Sequence, residues 1–318
     1  MNKVNSTLFE HDTDFSQTSY YSSLKRVPAW LKTHVDRYRN DPFFREVSNE
    51  KANRIRQYVR GKAYKDNIDL AEYQIELWLD DNIDFLIWLY GYYEIHESRM
   101  FLSLLKPDNV VVDVGANIGY YSLLAASRTG NGGKVFAFEP VPLTFFRLKK
   151  NVQRIECVEA LQMACGDEDG FTEIYISDFR VNGQSGCSRI LSPLPNNPNI
   201  KEKVPLIRLD TFFGGKKQTK IDLMKIDTEG YELKVLMGSE NILRDNKDIK
   251  ILLEMNEKYI RMCGSTPEDF FDYLEGFGLH PWRLVYTEAS KWIFQEDNGF
   301  QGNRSLHLFS RNYPISHT

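Results

Sequence analysis

The chain has 318 residues, of which 26% are charged and 42% hydrophobic, with a formal net charge of −4. That profile fits a globular protein with room for one large α/β domain plus an extension, or for two small domains. It lacks the basic excess that would mark a nucleic-acid or anionic membrane partner, and no apolar run reaches the ~18–20 residues of a membrane-crossing helix. Cys157, Cys165, Cys187 and Cys263 form no CxxC pair, so zinc is not expected. Met1 to Tyr20 is polar and acidic, which predicts neither a signal nor a transit peptide. Scattered cysteines without a secretion signal predict reduced thiols and a cytoplasmic location.

Residues 1–22 show no periodicity and read as a mobile tail. From Pro28 onward Trp30, Leu31, His34, Val35 and Tyr38 recur at helical spacing. Asp41-Pro42 breaks that helix, and a second is predicted up to about Gly61. Lys51, Arg54, Arg56, Arg60, Lys62 and Lys65 make one side of this segment basic, either as a solvated face or as a surface for a phosphate-bearing or carrier-protein partner. Residues 1–72 are thus expected to form a tail and helical extension, with dimerisation through its helices left open, and residues 73–318 a cofactor-binding domain.

Tyr73 to Leu79 alternates polar and apolar residues, the signature of a strand. Asp80-Asp81-Asn82 caps an apolar helix, Ile83 to Tyr90, that Gly91 ends; another helix, Glu94 to Leu105, stops at Pro107. Strands then alternate with helices. Val110 to Val114 is a continuous apolar run, as for a strand buried on both faces; Tyr120 to Thr129 is helical with Gly130 as its cap; Val135 to Phe138 is strand two; Pro142 to Val152 is a helix; Val158 to Ala164 is strand three. Ile221 to Ile226 and Ile249 to Met255 are strands four and five, a Thr266-Pro267-Glu268-Asp269 capping box opens a helix ending at Gly276, and Leu279 to Tyr286 and Ser305 to Ser310 are the last strands. This alternation predicts a doubly wound α/β sheet whose ligand lies at the carboxyl ends of the strands, beside strand one.

The loop after strand one, Asp113-Val114-Gly115-Ala116-Asn117-Ile118-Gly119, lacks the middle glycine of a G-x-G-x-x-G dinucleotide fingerprint. It suits S-adenosylmethionine, which carries an ammonium, a carboxylate and a sulfonium but no pyrophosphate. Asp113 can meet the ammonium, and Gly115 and Gly119 let the backbone approach the amino-acid moiety. Glu139, twenty residues beyond Gly119, is placed to accept hydrogen bonds from ribose hydroxyls. Ala164-Cys165-Gly166-Asp167 closes strand three, where residues flank an adenine ring, with Asp167 as an acceptor for its amino group or simply as a turn residue.

On these residues the chain resembles the FkbM-type family of class I S-adenosylmethionine-dependent methyltransferases. The resemblance covers roughly residues 74 to 310 and is most specific in DVGANIGYYS and KIDTEGYE, with Gly91-Tyr92-Tyr93-Glu94 upstream. It implies a Rossmann-like methyltransferase fold, a mostly parallel seven-stranded sheet with a reversed last strand and helices on both faces. It also implies S-adenosylmethionine as cofactor and O-methylation of a hydroxyl on a natural product or sugar. The expected cofactor residues are Glu94, Asp113, Gly115, Asn117, Gly119, Tyr120, Glu139, Pro140, Cys165 and Asp167.

A hydroxyl acceptor benefits from a base or a metal near its proton. Asp227 and Glu229 follow strand four, and Glu254 with Asn256 follows strand five, so Asp227, Glu229 and Glu254 are the catalytic candidates and Asn256 a substrate contact. Asp227, Glu254 and Asn256 offer oxygen ligands of the kind that hold magnesium, but no spacing demands a metal and none is expected. Ser177 to Lys203 is a long loop carrying Asn182 and Ser185, read as a lid or substrate loop. The expected acceptor is a small molecule or glycan and not nucleic acid. A Rossmann-type oxidoreductase and a non-catalytic binding module on the same fold are the competing readings.

Overall fold

The computed structural model describes residues 65–177, 188, 190, 200–214, 220–286, 292–296 and 304–312. The expected tail and the helices before residue 62 lie outside these residues. The first described elements are two strands, β1 (Lys65–Leu70) and β2 (Tyr73–Trp78), paired antiparallel across the expected boundary at residues 72 and 73. Ile68, Leu70, Ile75 and Leu77 are buried along one face of this hairpin, as period-two alternation requires. Then come helices α1 (Asn82–Tyr90) and α2 (Ile95–Ser103). Asp81 caps α1 by accepting from the Ile83 amide, and Gly91, with a φ of 81°, ends it.

The main sheet grows from β3 (Val110–Val114), β4 (Lys134–Phe138), β5 (Val158–Leu161), β9 (Leu223–Ile226) and β10 (Lys250–Asn256), all parallel. β3 alternates between two cores. Val111 joins one cluster with Leu123, Leu124 and Ala126 of α3 (Tyr120–Thr129), while Val112 and Val114 join the other with Val235, Ile242, Phe270 and Leu274. A strand covered on both faces has no polar side to show, hence its unbroken apolar run. The second core is closed by five helices: α5 (Leu209–Gly214), α6 (Glu232–Met237), α7 (Glu240–Asp245), α8 (Glu257–Met262) and α9 (Pro267–Glu275). The expected capping box opens α9, with Thr266 and Asp269 bonding to each other's amides.

With β11 (His280–Tyr286), β12 (Trp292–Glu296) and β13 (Arg304–Ser310), the strand order is β12-β11-β13-β10-β9-β3-β4-β5. β13 runs antiparallel between β10 and β11, the expected reversed last strand. The sheet has eight strands rather than seven, because β12 folds back on β11 as an extra edge. Strand three also differs: it breaks after Leu161, where the Met163 amide turns back to the Leu161 carbonyl. The next piece, β6 (Ala164–Cys165), leaves for a separate three-stranded sheet with β7 (Gly170–Tyr175) and β8 (Lys201–Ile207).

Helix α4 (Pro142–Val152) ties the hairpin layer to the sheet. The Arg147 guanidinium lies 4.6 Å from the centre of the Trp78 ring and pairs with the buried carboxylate of Asp84 on α1. Burial outweighs this partner and pushes Asp84 up to about 7.

Candidate active site

After β3 the chain makes a turn with positive φ at Gly115 (81°), Asn117 (50°) and Gly119 (94°). Gly115 is required by space as well as by conformation: a Cβ there would stand 1.8 Å from the Asp227 carbonyl oxygen. The missing side chain lets the ends of β3 and β9 close up, with the Asp227 amide donating to the Val114 carbonyl at 3.0 Å. A Cβ on Gly119 would lie 2.8 Å from Leu148, so this glycine sets the packing of α3 on α4.

Glu139, at the end of β4, organises the loop. One carboxylate oxygen accepts from the Asn117 amide at 3.0 Å and the other from the Val141 amide at 2.9 Å. The side chain is 6% exposed, and burial, helped by the charges of Asp113 and Asp227, pushes its carboxyl up to about 7 against the pull of the two amides. Two acceptors remain available, because each carboxylate oxygen has a second lone-pair direction.

Glu139 borders a cavity at the carboxyl ends of β3, β4 and β9 that encloses about 1010 Å³, mouth included. Phe138, Met163, Ala164, Cys165 and Ile174 make its apolar wall. Its polar rim holds Asn117, Glu139, Lys225, Asp227, Thr228 and Glu229. A mostly apolar hollow with a few converging polar groups is the form of a small-molecule site. Asn117 and Thr228 line it, and among the described residues Asn117 Oδ1 and Thr228 Oγ1 are buried without a hydrogen-bond partner. Such atoms are rare in folded proteins unless something else satisfies them.

The next loop carries Asp227, Thr228, Glu229 and Gly230. Glu229 has a φ of 56° and Gly230 one of 108°, and the buried Glu232 carboxylate accepts from the Thr228 and Gly230 amides to hold the turn. Lys225, on β9, is buried and lines the cavity. Its ammonium donates to Asp227 Oδ2 at 3.0 Å and lies 4.6 Å from the centre of the Tyr121 ring. Burial opposes its charge, but Asp227, Asp113 and Glu254 outweigh burial and raise its pKa.

Gly115, Asn117, Tyr120, Glu139, Pro140, Cys165, Asp227 and Glu229 all border the cavity. Gly119 stands behind the loop as the residue before α3. Asp113 is fully buried beneath it and accepts from Ser122 Oγ at 2.6 Å. Burial raises its pKa, partly offset by Lys225. Glu94 is held at a φ of 45° and accepts from the Tyr121 hydroxyl at 3.2 Å, while the Tyr120 hydroxyl takes a bond from the Tyr93 amide at 3.0 Å. Asp167 lies off the cavity, paired with Lys234 at 2.7 Å. Glu254 and Asn256 are not in its lining; Glu254 acts there through its charge on Lys225, and Asn256 begins α8 (Glu257–Met262). Asn182 and Ser185 lie outside the described residues. From the same segment, Ser188 and Ile190 do line the cavity, and Ser188 Oγ accepts from the Ser177 amide at 3.0 Å.

Sequence reasoning passed over Lys225, Tyr121, Thr228 and Glu232. Among the described residues no three His, Cys, Asp or Glu side chains converge as a metal-ligating group. The positive charge amid Asp113, Asp227 and Glu254 is the Lys225 ammonium.

A mostly parallel sheet with a reversed strand inserted between β10 and β11, and a glycine-bordered loop after its central strand, define the Rossmann-like methyltransferase fold. The chain belongs to the FkbM methyltransferase family: the sequence model described as Methyltransferase FkbM domain matches residues 113–280. It is 31% identical over 147 residues to the hexuronic acid methyltransferase AglP of Haloferax volcanii, over 46% of this chain and 56% of that protein. The chain therefore spans little more than half the length of that relative. It is 30% identical over 177 residues to the 31-O-demethyl-FK506 methyltransferase FkbM of Streptomyces tacrolimicus, over 47% of this chain and 68% of that one. The crystal structure of a methyltransferase FkbM from Methylobacillus flagellatus aligns with a TM-score of 0.40 at 14% identity, covering 70% of this chain and 51% of that one. The cofactor is S-adenosyl-L-methionine. The residues present fit it: Glu139 faces the cavity with unused acceptor capacity, and Asn117 Oδ1 and Thr228 Oγ1 wait there for partners.

Proposed function

We propose that the chain O-methylates a hydroxyl of a small-molecule natural product or a sugar or glycan, as a cytoplasmic enzyme that does not act on nucleic acid. Among the described residues no helix is long and apolar enough to cross a membrane. The observation carrying this reading is the placing of the Glu139 and Asp227 carboxylates on one cavity. Glu139 is the acceptor for ribose hydroxyls, and Asn117 and Thr228 supply polar contacts for the amino-acid end. S-adenosylmethionine supplies a methyl group already activated on sulfonium. The work left to the protein is to position the acceptor, exclude water and receive a proton.

The Asp227 side chain is 26% exposed at the cavity. It can accept a hydrogen bond from the acceptor hydroxyl and take its proton as the new O–C bond forms and the methyl–sulfur bond breaks, leaving the demethylated thioether, then release that proton to solvent. The hydrogen bond from Lys225 at 3.0 Å fixes the orientation of the Asp227 carboxylate toward the acceptor. Glu229 orders the rim of the cavity. The connection between β7 and β8, which brings Ser188 and Ile190 to the cavity, is the lid on the acceptor side.

The test is calorimetry with S-adenosylmethionine, its demethylated product and NAD, followed by a product screen using isotopically labelled methyl donor and a cell extract. Binding of the first two and a labelled product bearing an O-methyl group support the reading. Binding of NAD alone removes it, and a labelled product methylated on nitrogen or carbon removes the assignment to oxygen.

A further inference from the structure

A second cavity lies at the opposite end of the sheet, where β3, β9 and β10 begin and β13 ends. It encloses about 1030 Å³, mouth included. Five cations line it, Lys106, Lys220, Lys247, Lys250 and Arg311, against two acids, Asp222 and Asp248. That excess stands out in a chain whose formal net charge is −4.

Most of these groups already have partners. The Arg311 guanidinium donates to the carbonyls of Leu243, Asn246, Lys247 and Phe277 and so holds the end of α7 in place. Lys247 donates to the Arg244 carbonyl at 3.0 Å. Asp222 accepts from the Val110 amide at 2.8 Å and from Lys220 at 2.7 Å. Lys250, the first residue of β10, is different. It is half-buried and lines the cavity, yet among the described residues its ammonium makes no hydrogen bond or ion pair. Burial makes its charge costly and lowers its pKa, although Asp222 and Asp248 more than offset the repulsion from Lys106 and Lys220.

We propose that this cavity binds a compact tetrahedral dianion, the phosphoryl group of a small ligand, with Lys250 as its inner anchor and Lys106 and Lys220 at its mouth. The donor set selects that chemistry. Planar carboxylates are best matched by the two-pronged guanidinium of arginine, and the only arginine lining this cavity among the described residues is spent on backbone carbonyls. Several lysine ammoniums around one hollow act as point charges, and a dianion satisfies more than one of them at once. A phosphoryl group here would also give the half-buried Lys250 ammonium a hydrogen-bond acceptor. The site is separate from the methyl-transfer cavity, and no residue lines both.

The experiment is calorimetry on the full chain with inorganic phosphate, glycerol phosphate and acetate, with nitrogen-labelled lysine side chains followed by NMR. Phosphate and glycerol phosphate should each bind once per chain, and acetate at least tenfold more weakly. Tighter binding of glycerol phosphate assigns the site to an esterified phosphate, and equal or weaker binding to the free ion. Lys250→Met, which keeps the buried stem, and Lys106→Gln at the exposed mouth should each weaken phosphate binding about tenfold or more, as loss of a hydrogen bond to a charged group does. Both variants should keep wild-type affinity for S-adenosylmethionine. Phosphate should raise the pH at which Lys250 titrates. Absence of phosphate binding, equal binding of acetate, or full affinity in Lys106→Gln together with an unmoved Lys250 signal would each overturn the proposal, whether or not Lys250→Met folds.

Discussion

Glu139 should make cofactor binding depend on pH near neutrality. Its carboxyl is raised from an ordinary 4.5 to about 7. Below pH 4.5 the group is protonated both folded and unfolded and contributes no difference. As pH rises from 4.5 to 7 the unfolded chain ionises first, so the cofactor-free fold loses about 3 kcal/mol, at roughly 1.36 kcal/mol for each pH unit between those two values. In the binding mode proposed above, ribose hydroxyls donate to the ionised carboxylate and favour it, so binding expels the proton wherever the free protein holds one. The dissociation constant should therefore fall about fivefold between pH 6 and 7 and about tenfold between pH 6 and 8, where it levels off. Glu139→Gln should remove that dependence and bind more weakly than wild type at pH 8 by about 10–100-fold, the equivalent of about 1.5–3 kcal/mol for hydrogen bonds to a charged group. The assay is calorimetry from pH 6 to 8.5, with thermal melts alongside because the amide now faces a backbone donor at Asn117 or Val141. Wild-type affinity that does not change over this range, or an unchanged affinity in a folded Glu139→Gln, would refute the argument.

Three further outcomes follow from the geometry. Asp227→Asn should cut turnover about 10²–10⁴-fold, the usual cost of removing a proton acceptor, while calorimetry shows nearly intact cofactor affinity. Gly115→Ala places a Cβ 1.8 Å from the Asp227 carbonyl at a φ of 81°, so urea unfolding should show a loss of at least about 1–2 kcal/mol, with cofactor binding abolished in what remains folded. Arg147→Met leaves Asp84 buried without its partner and should cost about 3–5 kcal/mol at pH 8; the loss should shrink at pH 6, where Asp84 takes up a proton.

The frame of this molecule can be read from local pattern because the pattern has a single cause. Val110 to Val114 is apolar throughout since both its faces are covered, and Thr266 with Asp269 is a capping box wherever it stands. Gly115 and Glu139 were legible because chain geometry forces one and a strand end presents the other. Lys225 was not. Between Met224 and Ile226 it looks like a polar residue on an ordinary strand, and only three acids and a ring from other elements make its burial tolerable. Glu232 looks like a favourable acid in a first helical turn, although its bonds go back to the Thr228 and Gly230 amides. The separate sheet was missed for a related reason. β6 is two residues long, and β7 ends where a long Pro- and Gly-containing connection begins, so its pairing with β8 depends on partners distant in sequence.

The contact between Gly115 and Asp227 has a consequence for engineering. It fastens the donor loop to the strand that carries the proposed acceptor anchor, so neither can be reshaped without moving the other. The small sheet β6-β8-β7 is built apart from that joint, and its long connection reaches the cavity only through Ser188 and Ile190 among the described residues. That connection can therefore be changed without disturbing the joint between Gly115 and Asp227. Exchanging the β7–β8 connection between relatives, with both strands kept, is the graft that should change the acceptor preference proposed above while leaving that joint as it stands.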